Sequence, residues 1–194
     1  PHMILFKNYT RSGVQWVVYH QSTGNTQACY LNTTTAAVDV AGFFNDTTPT
    51  SSVFTVGTDT ACNGNTDGMI AYCFAEKQGF SKFSSFVGSS SSDGPFCFCG
   101  FKVAWLMIKR SSDGTNSWEI RDNKRDSFNT ADDRLFADLS NAEDSDNEGI
   151  DFLSNGFKIR NTGAGCNASG VTYIYAAFAE APFVNSNGVP CNAR

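Results

Sequence analysis

The sequence predicts an all-β protein, an antiparallel β-sandwich built from an internally duplicated unit. Three observations carry that prediction. Short runs rich in Val, Ile, Phe, Tyr and Thr alternate with polar residues and are bounded by Gly, Asn, Asp and Ser clusters. Aromatic residues make up 13% of the chain and charged residues only 17%, with 17 glycines, which suits a turn-rich β protein with a polar, neutral surface. The third observation is a repeat. Ile4-Leu5-Phe6-Lys7 and Trp16 are answered by Leu106-Met107-Ile108-Lys109 and Trp118, each offset by 102. Cys62-Asn63 and Phe74-Ala75-Glu76 are answered by Cys166-Asn167 and Phe178-Ala179-Glu180, each offset by 104. Such a period is far longer than a solenoid unit and indicates a duplicated domain or half-domain.

In chain order, Pro1-His2-Met3 reads as a tag remnant. Residues 4–79 form the first β unit, with strands expected at Ile4–Lys7, Gln15–Tyr19, Ala28–Leu31, Ser52–Val56 and Met69–Glu76. Residues 80–183 form the second, with strands at Trp105–Lys109, Ser117–Arg121, Arg134–Leu139, Gly156–Arg160 and Val171–Glu180. Turns at Arg11-Ser12-Gly13, Ser112-Asp113-Gly114 and Ser154-Asn155-Gly156 separate them. Thr130 to Leu139 carries helix-like spacing, but its repeat counterpart around Cys29–Thr34 is a poor helix former, so strand is preferred. Between the units, a Ser/Gly segment at 88–94 is flanked by Phe80, Phe83, Phe86, Phe96, Phe98 and Phe101. Six phenylalanines do not belong in a linker, so the segment reads as a hairpin of the second unit. The first unit has no counterpart of it upstream of Ile4, which leaves an edge to be covered by something else. Residues 184–194 read as a C-terminal tail, and the two units fit either one sandwich or two.

Composition excludes several function classes. A net charge of −5 and a pI near 4.9 argue against nucleic acid as a partner, because duplex binding needs basic stripes. No apolar run approaches the ~18–20 residues that a membrane span requires, and no signal peptide is visible. The seven cysteines are odd in number and lack zinc-type spacing, so they read as reduced and mostly buried.

Particular residues carry a resemblance. Gly94-Pro95-Phe96 through Gly100-Phe101, and Trp105-Leu106-Met107-Ile108-Lys109-Arg110, resemble a repeated module of tailed-phage virion proteins. So do Asp151-Phe152-Leu153-Ser154-Asn155-Gly156-Phe157-Lys158-Ile159 and the stretch from Thr172 to Phe183. The likeness covers nearly the whole chain and is clearest from Phe80 to Phe183. It implies a concanavalin-like (laminin-G-like) jelly-roll sandwich in a tail fibre or structural protein, located in the virion after assembly in the host cytoplasm. Other virion proteins, and a homo-oligomer, are the implied protein partners. The resemblance supplies no catalytic residues.

The residues themselves support no enzyme. His20 is the only histidine outside the first three residues, and no nucleophile-elbow motif accompanies it. The glutamates show no spacing of the kind that glycoside hydrolysis uses, so a carbohydrate-active hydrolase is the third reading. Recognition of a host-surface glycan comes first, with sugar faces stacking on aromatic rings and polar groups meeting the hydroxyls. Arg121, Asp122, Asn123 and Arg125 cluster after Trp118 in one expected loop, and Tyr19 and His20 are the first-unit counterparts of Arg121 and Asp122. These seven form the expected ligand site. Trp16, Tyr173 and Tyr175 are further aromatic candidates. The acidic segment 132–151 offers Asp144, Asp146 and Glu148 as calcium ligands, with a solvated acidic loop as the alternative and no other cofactor expected. A purely structural assembly module is the second functional reading.

Overall fold

A computed structural model describes residues 1–180, apart from the side chains of residues 146–148. The expected tail and Cys191 lie outside the described residues. The described fold is all-β and antiparallel. Its strands are β1 (Met3–Asn8), β2 (Val17–His20), β3 (Gln27–Tyr30), β4 (Val38–Asp39), β5 (Met69–Phe74), β6 (Ser81–Val87), β7 (Phe96–Phe98), β8 (Val103–Arg110), β9 (Glu119–Asp122), β10 (Ala131–Phe136), β11 (Asp144–Leu153), β12 (Gly156–Ile159) and β13 (Thr172–Ala179). Two short helices, α1 (Ala41–Phe44) and α2 (Thr60–Asn63), accompany them. Neither is long enough to cross a membrane.

One sheet runs β4-β3-β2-β1-β5 and the other β6-β13-β8-β9-β10-β11-β12-β7. The two sheets share a pattern of pairing. Ile4 lies opposite Tyr19 and Cys73, as Leu106 lies opposite Arg121 and Ala177. Val18 lies opposite Cys29, as Ile120 lies opposite Leu135. Four strands, β5-β1-β2-β3, thus match β13-β8-β9-β10 position for position.

Alternation along these strands sorts side chains into three cores. Ile4, Phe6, Val17 and Tyr19 face Phe43, Phe44, Ala61 and Cys62, so α1 and α2 cover the outside of the smaller sheet. Met3, Val18 and Cys29 face Met107, Trp118, Ile174 and Phe83 of the larger sheet, giving a sandwich-like, face-to-face packing. Leu106, Ile108, Phe152, Phe157, Ile159 and Tyr175 fill the inside of the larger sheet. That sheet curls on itself: Phe157 of β12 meets Tyr175 of β13 edge-on at 5.0 Å and Phe86 of β6 at 6.2 Å.

Several expectations are corrected. Ser52–Val56 is not a strand, because the Thr50 hydroxyl accepts from the N–H groups of Ser52 and Val53 and so occupies the ladder's donors. The segments that became α1 and α2 were not anticipated. Asn45 closes α1 in the left-handed conformation, and the Asp59 carboxylate caps α2 through Ala61 N–H. The Phe-rich segment is no hairpin, since β6 and β7 do not pair and lie at opposite ends of the described strand order of the larger sheet. The Ser/Gly stretch spans the gap between them, held by Asn167. Its Oδ1 accepts from Ser89 N–H at 2.8 Å, and its Nδ2 donates to the Ser91 carbonyl at 2.8 Å. Gly88 is required there, for a Cβ would fall 2.2 Å from the Ala168 carbonyl oxygen. The acidic segment 132–151 spans most of β10, a connecting turn and most of β11, so the expected calcium stretch from Asp144 lies in a strand and not in a loop. In β11, Ile150 and Phe152 face the core, while Asp144 and Asp151 pair outward with Arg134 and Arg160. The stretch 131–136 is a strand, as preferred over helix. Residues 2 and 3, set aside as tag, take part in the fold: His2 N–H donates to the Phe74 carbonyl and Met3 is buried.

Candidate functional site

The two repeat tryptophans start from one backbone plan. Trp16 N–H donates to Asn32 Oδ1 and Trp118 N–H to Asp138 Oδ1, both at 2.8 Å. Lys7 donates to the Val14 carbonyl, and its counterpart Lys109 to the Asn116 carbonyl. The side chains then diverge. Trp118 is 2% exposed and its indole N–H is spent on the Tyr30 carbonyl across the sheets, at 2.8 Å. Trp16 is half-buried, lies nearly parallel to Tyr72 with ring centroids 6.4 Å apart, and carries Lys7 Nζ 5.8 Å above its ring. Tyr72 is 45% exposed. Gln15 and Asn32 adjoin this pair, joined by a hydrogen bond from Asn32 Nδ2 to Gln15 Oε1.

This aromatic lip leads into a cleft between the sheets. Tyr72 is the cross-strand partner of Leu5, and Leu5 lines the cleft with Leu31, Phe74, Trp105, Ile120 and Phe178. Its volume is about 260 Å³ and every lining side chain is apolar. The lip therefore offers stacking faces with polar groups at their margin, and the cleft behind it offers only hydrocarbon.

The residues nominated from sequence are placed elsewhere. Tyr19 is buried edge-on against Phe44 at 5.4 Å, and burial raises its phenol pKa. His20 is 2% exposed between the sheets. Arg121 is 1% exposed on β9 and bonds Glu119 and the Ala131 carbonyl, and Glu119 also meets Arg134. Asp122 accepts from Lys124 N–H at 3.0 Å and Arg125 N–H at 2.9 Å. Desolvation works to raise the Asp122 pKa, but those donors and the Arg125 guanidinium hold it below the ordinary range. Arg125 pairs with Asp122 and Glu143, and Asn123 N–H bonds the Ala104 carbonyl. The structure thus corrects the picture of one exposed loop cluster: Trp118, Arg121, Tyr19 and His20 are interior, and Asp122 and Arg125 hold the turn after β9 together.

Of the expected calcium ligands, Asp144 is engaged by Arg134 at 2.9 Å. The side chains of Asp146 and Glu148 lie outside the described residues. Carboxylate oxygens of Asp126, Asp132 and Asp133 do converge, within 4.8 Å of one another. Cys29, Cys62, Cys97 and Cys99 are free and buried, Cys73 is free and exposed, and Cys166 is buried.

A family described as Domain of unknown function (DUF7483) matches residues 1–182. The chain belongs to that family. No curated protein and no solved structure matches it. In this DUF7483 domain the residues that sequence reasoning missed are Tyr72, Lys7 and the cleft walls. A signal for Tyr72 was present: its counterpart at offset 104 is Ala176, so one copy carries a ring where the other has a methyl group.

Proposed function

We propose that the protein is a non-enzymatic recognition module of a phage virion, whose aromatic lip binds a host-surface glycan. The observation that carries this reading is the stacked pair of half-buried Trp16 and exposed Tyr72, bordered by Lys7, Gln15 and Asn32. Sugar C–H faces stack on such rings, and the bordering amides and ammonium suit hydroxyl groups. Single sites of this kind bind weakly, and many copies on a particle supply avidity. The test is binding of the multivalently displayed protein to host glycans and surface polymers. Trp16→Ala is expected to lower binding by about tenfold or more. Complete indifference of the displayed wild type to host polymers would reject the reading. Repeating the titration with calcium and with EDTA tests the calcium expectation, since an unchanged melting temperature means the acidic segment holds no ion.

A structural assembly role is the second reading, favoured by the uncharged, open edge of β5. The hydrolase reading loses support because the described glutamates Glu76, Glu119, Glu143 and Glu180 are each paired with lysine or arginine. For the architecture, we infer a concanavalin-like jelly-roll sandwich in which the two four-strand units arose by duplication. The shared registers, the paired Trp caps and the paired lysine contacts support that descent. Independent folding of a fragment carrying residues 80–194 is the result it requires.

A further inference from the structure

Among the described residues, β5 is the outermost strand of the smaller sheet and pairs only with β1. Its counterpart β13 is paired on both sides, by β8 and β6. Even-numbered residues of β5 turn their backbone groups toward β1: the Gly68 carbonyl accepts from Tyr9 N–H and the Phe74 carbonyl from His2 N–H. Strand alternation then leaves the N–H and C=O groups of Met69, Ala71 and Cys73 pointing away from the sheet. The counterparts of these three, Tyr173, Tyr175 and Ala177, pair with Phe86, Ser84 and Lys82 of β6. The position beside β5 is therefore one that this fold fills with a strand elsewhere.

Among the described residues, the other edges are blunted. β4 has two residues and β7 three. On β6, the Phe83 carbonyl accepts from the Gln21 side chain and Ser81 N–H donates to the Lys77 carbonyl. β5 has none of these protections. Met-Ile-Ala-Tyr-Cys-Phe contains no charge and no proline, and Ile70 and Tyr72 are 39% and 45% exposed.

We propose that β5 is the contact of a symmetric dimer, formed when β5 of a second copy adds antiparallel to its free edge. The strand is self-complementary about Ala71. With Ala71 opposite Ala71 of the partner subunit, Met69 faces Cys73 of the partner subunit, so all three outward residues pair and form about six hydrogen bonds. The same register sets Ile70 opposite Tyr72 of the partner subunit, twice, and aromatic with β-branched is a favourable cross-strand pair. No like charges meet across the seam. A slip of two residues brings in Ala75, whose carbonyl is already taken by the Ser81 hydroxyl. This contact stands independently of the glycan reading. The lip residues Trp16 and Tyr72 would lie beside their partner copies on one continuous surface.

The test is sedimentation velocity from roughly 1 to 100 µM, with amide exchange read at both ends. The wild type is expected to form dimers as concentration rises, with Met69, Ala71 and Cys73 amides gaining protection. Ala71→Pro removes an outward N–H and leaves the β1 ladder intact, and Ile70→Glu places charge at the seam. Each is expected to weaken the dimer at least about tenfold while circular dichroism stays unchanged. Should Ala71→Pro fail to fold, Ile70→Glu and the exchange pattern decide. A wild type that stays monomeric throughout, or a dimer indifferent to Ile70→Glu with those three amides unprotected, would overturn the proposal.

Discussion

His20 lies where the sheets meet, with both ring nitrogens committed. Nδ1 accepts from Ser22 N–H at 3.2 Å, so the proton sits on Nε2 and donates to the Tyr175 carbonyl at 3.1 Å. Burial pushes the ring pKa from 6.5 down to about 4, opposed by that backbone bond and assisted by nearby His2. Between those two values the unfolded chain binds a proton that the native ring refuses. Stability is therefore present above pH 6.5 and lost as pH falls toward 4, by about 3 kcal/mol for this group alone. Urea unfolding at pH 7.5 and 4.5 measures it, and His20→Gln is expected to flatten the acid loss. Equal pH dependence in both proteins would exclude His20 as the cause. The sequence singled out His20 against Asp122 as a functional difference between the copies. In the structure both side chains accept the N–H two residues on, Ser22 and Lys124 respectively, so a change of residue type conserves one local role. Which tryptophan is buried was equally illegible, because it depends on a carbonyl of Tyr30 that lies 88 positions away.

At the scale of elements, the strands that sequence located best are those whose periodicity and repeat agree. β1, β2, β3, β5, β8, β9, β12 and β13 all overlap the runs expected from alternation. The failures have local causes: a Thr50 turn that occupies donors, and a charged surface on β11 that hid its alternating Ile150 and Phe152. The crossing of the Ser/Gly stretch was hidden for another reason, since its anchor Asn167 is remote in sequence. Asn167 is fully buried and bonds Ser89, Ser91 and Asn161, whereas its counterpart Asn63 is exposed and its side chain bonds Gly57. Asn167→Ala is accordingly expected to cost about 2–4 kcal/mol and Asn63→Ala under about 1 kcal/mol. Chemical denaturation of the two variants decides this, and equal losses would mean that Asn167 does not hold the crossing.

For the whole molecule, the two sheets meet through equivalent faces. Met3 and Trp105, Leu5 and Met107, Val18 and Ile120, and Phe74 and Phe178 are repeat counterparts, and all eight belong to the core between the sheets. A surface that packs against its own equivalent is what an isologous dimer presents, and the proposed duplication accounts for such a contact within one chain. The larger sheet also has a core of its own, closed by Phe86, Phe157 and Tyr175 and independent of residues 1–79. The smaller sheet depends on both neighbours, α1 with α2 on one side and the larger sheet on the other. A fragment of residues 80–194 is therefore expected to fold cooperatively and to self-associate through Trp105, Met107, Ile120 and Phe178, the apolar face that residues 1–79 now cover. Adding a separate 1–79 fragment should compete with that association, and Met107→Glu should abolish it while leaving the inner core intact. Circular dichroism and sedimentation equilibrium measure both effects. A fragment that is unfolded would remove the basis for an autonomous duplicated unit, and one that folds yet stays monomeric would show that the shared face packs only against the smaller sheet.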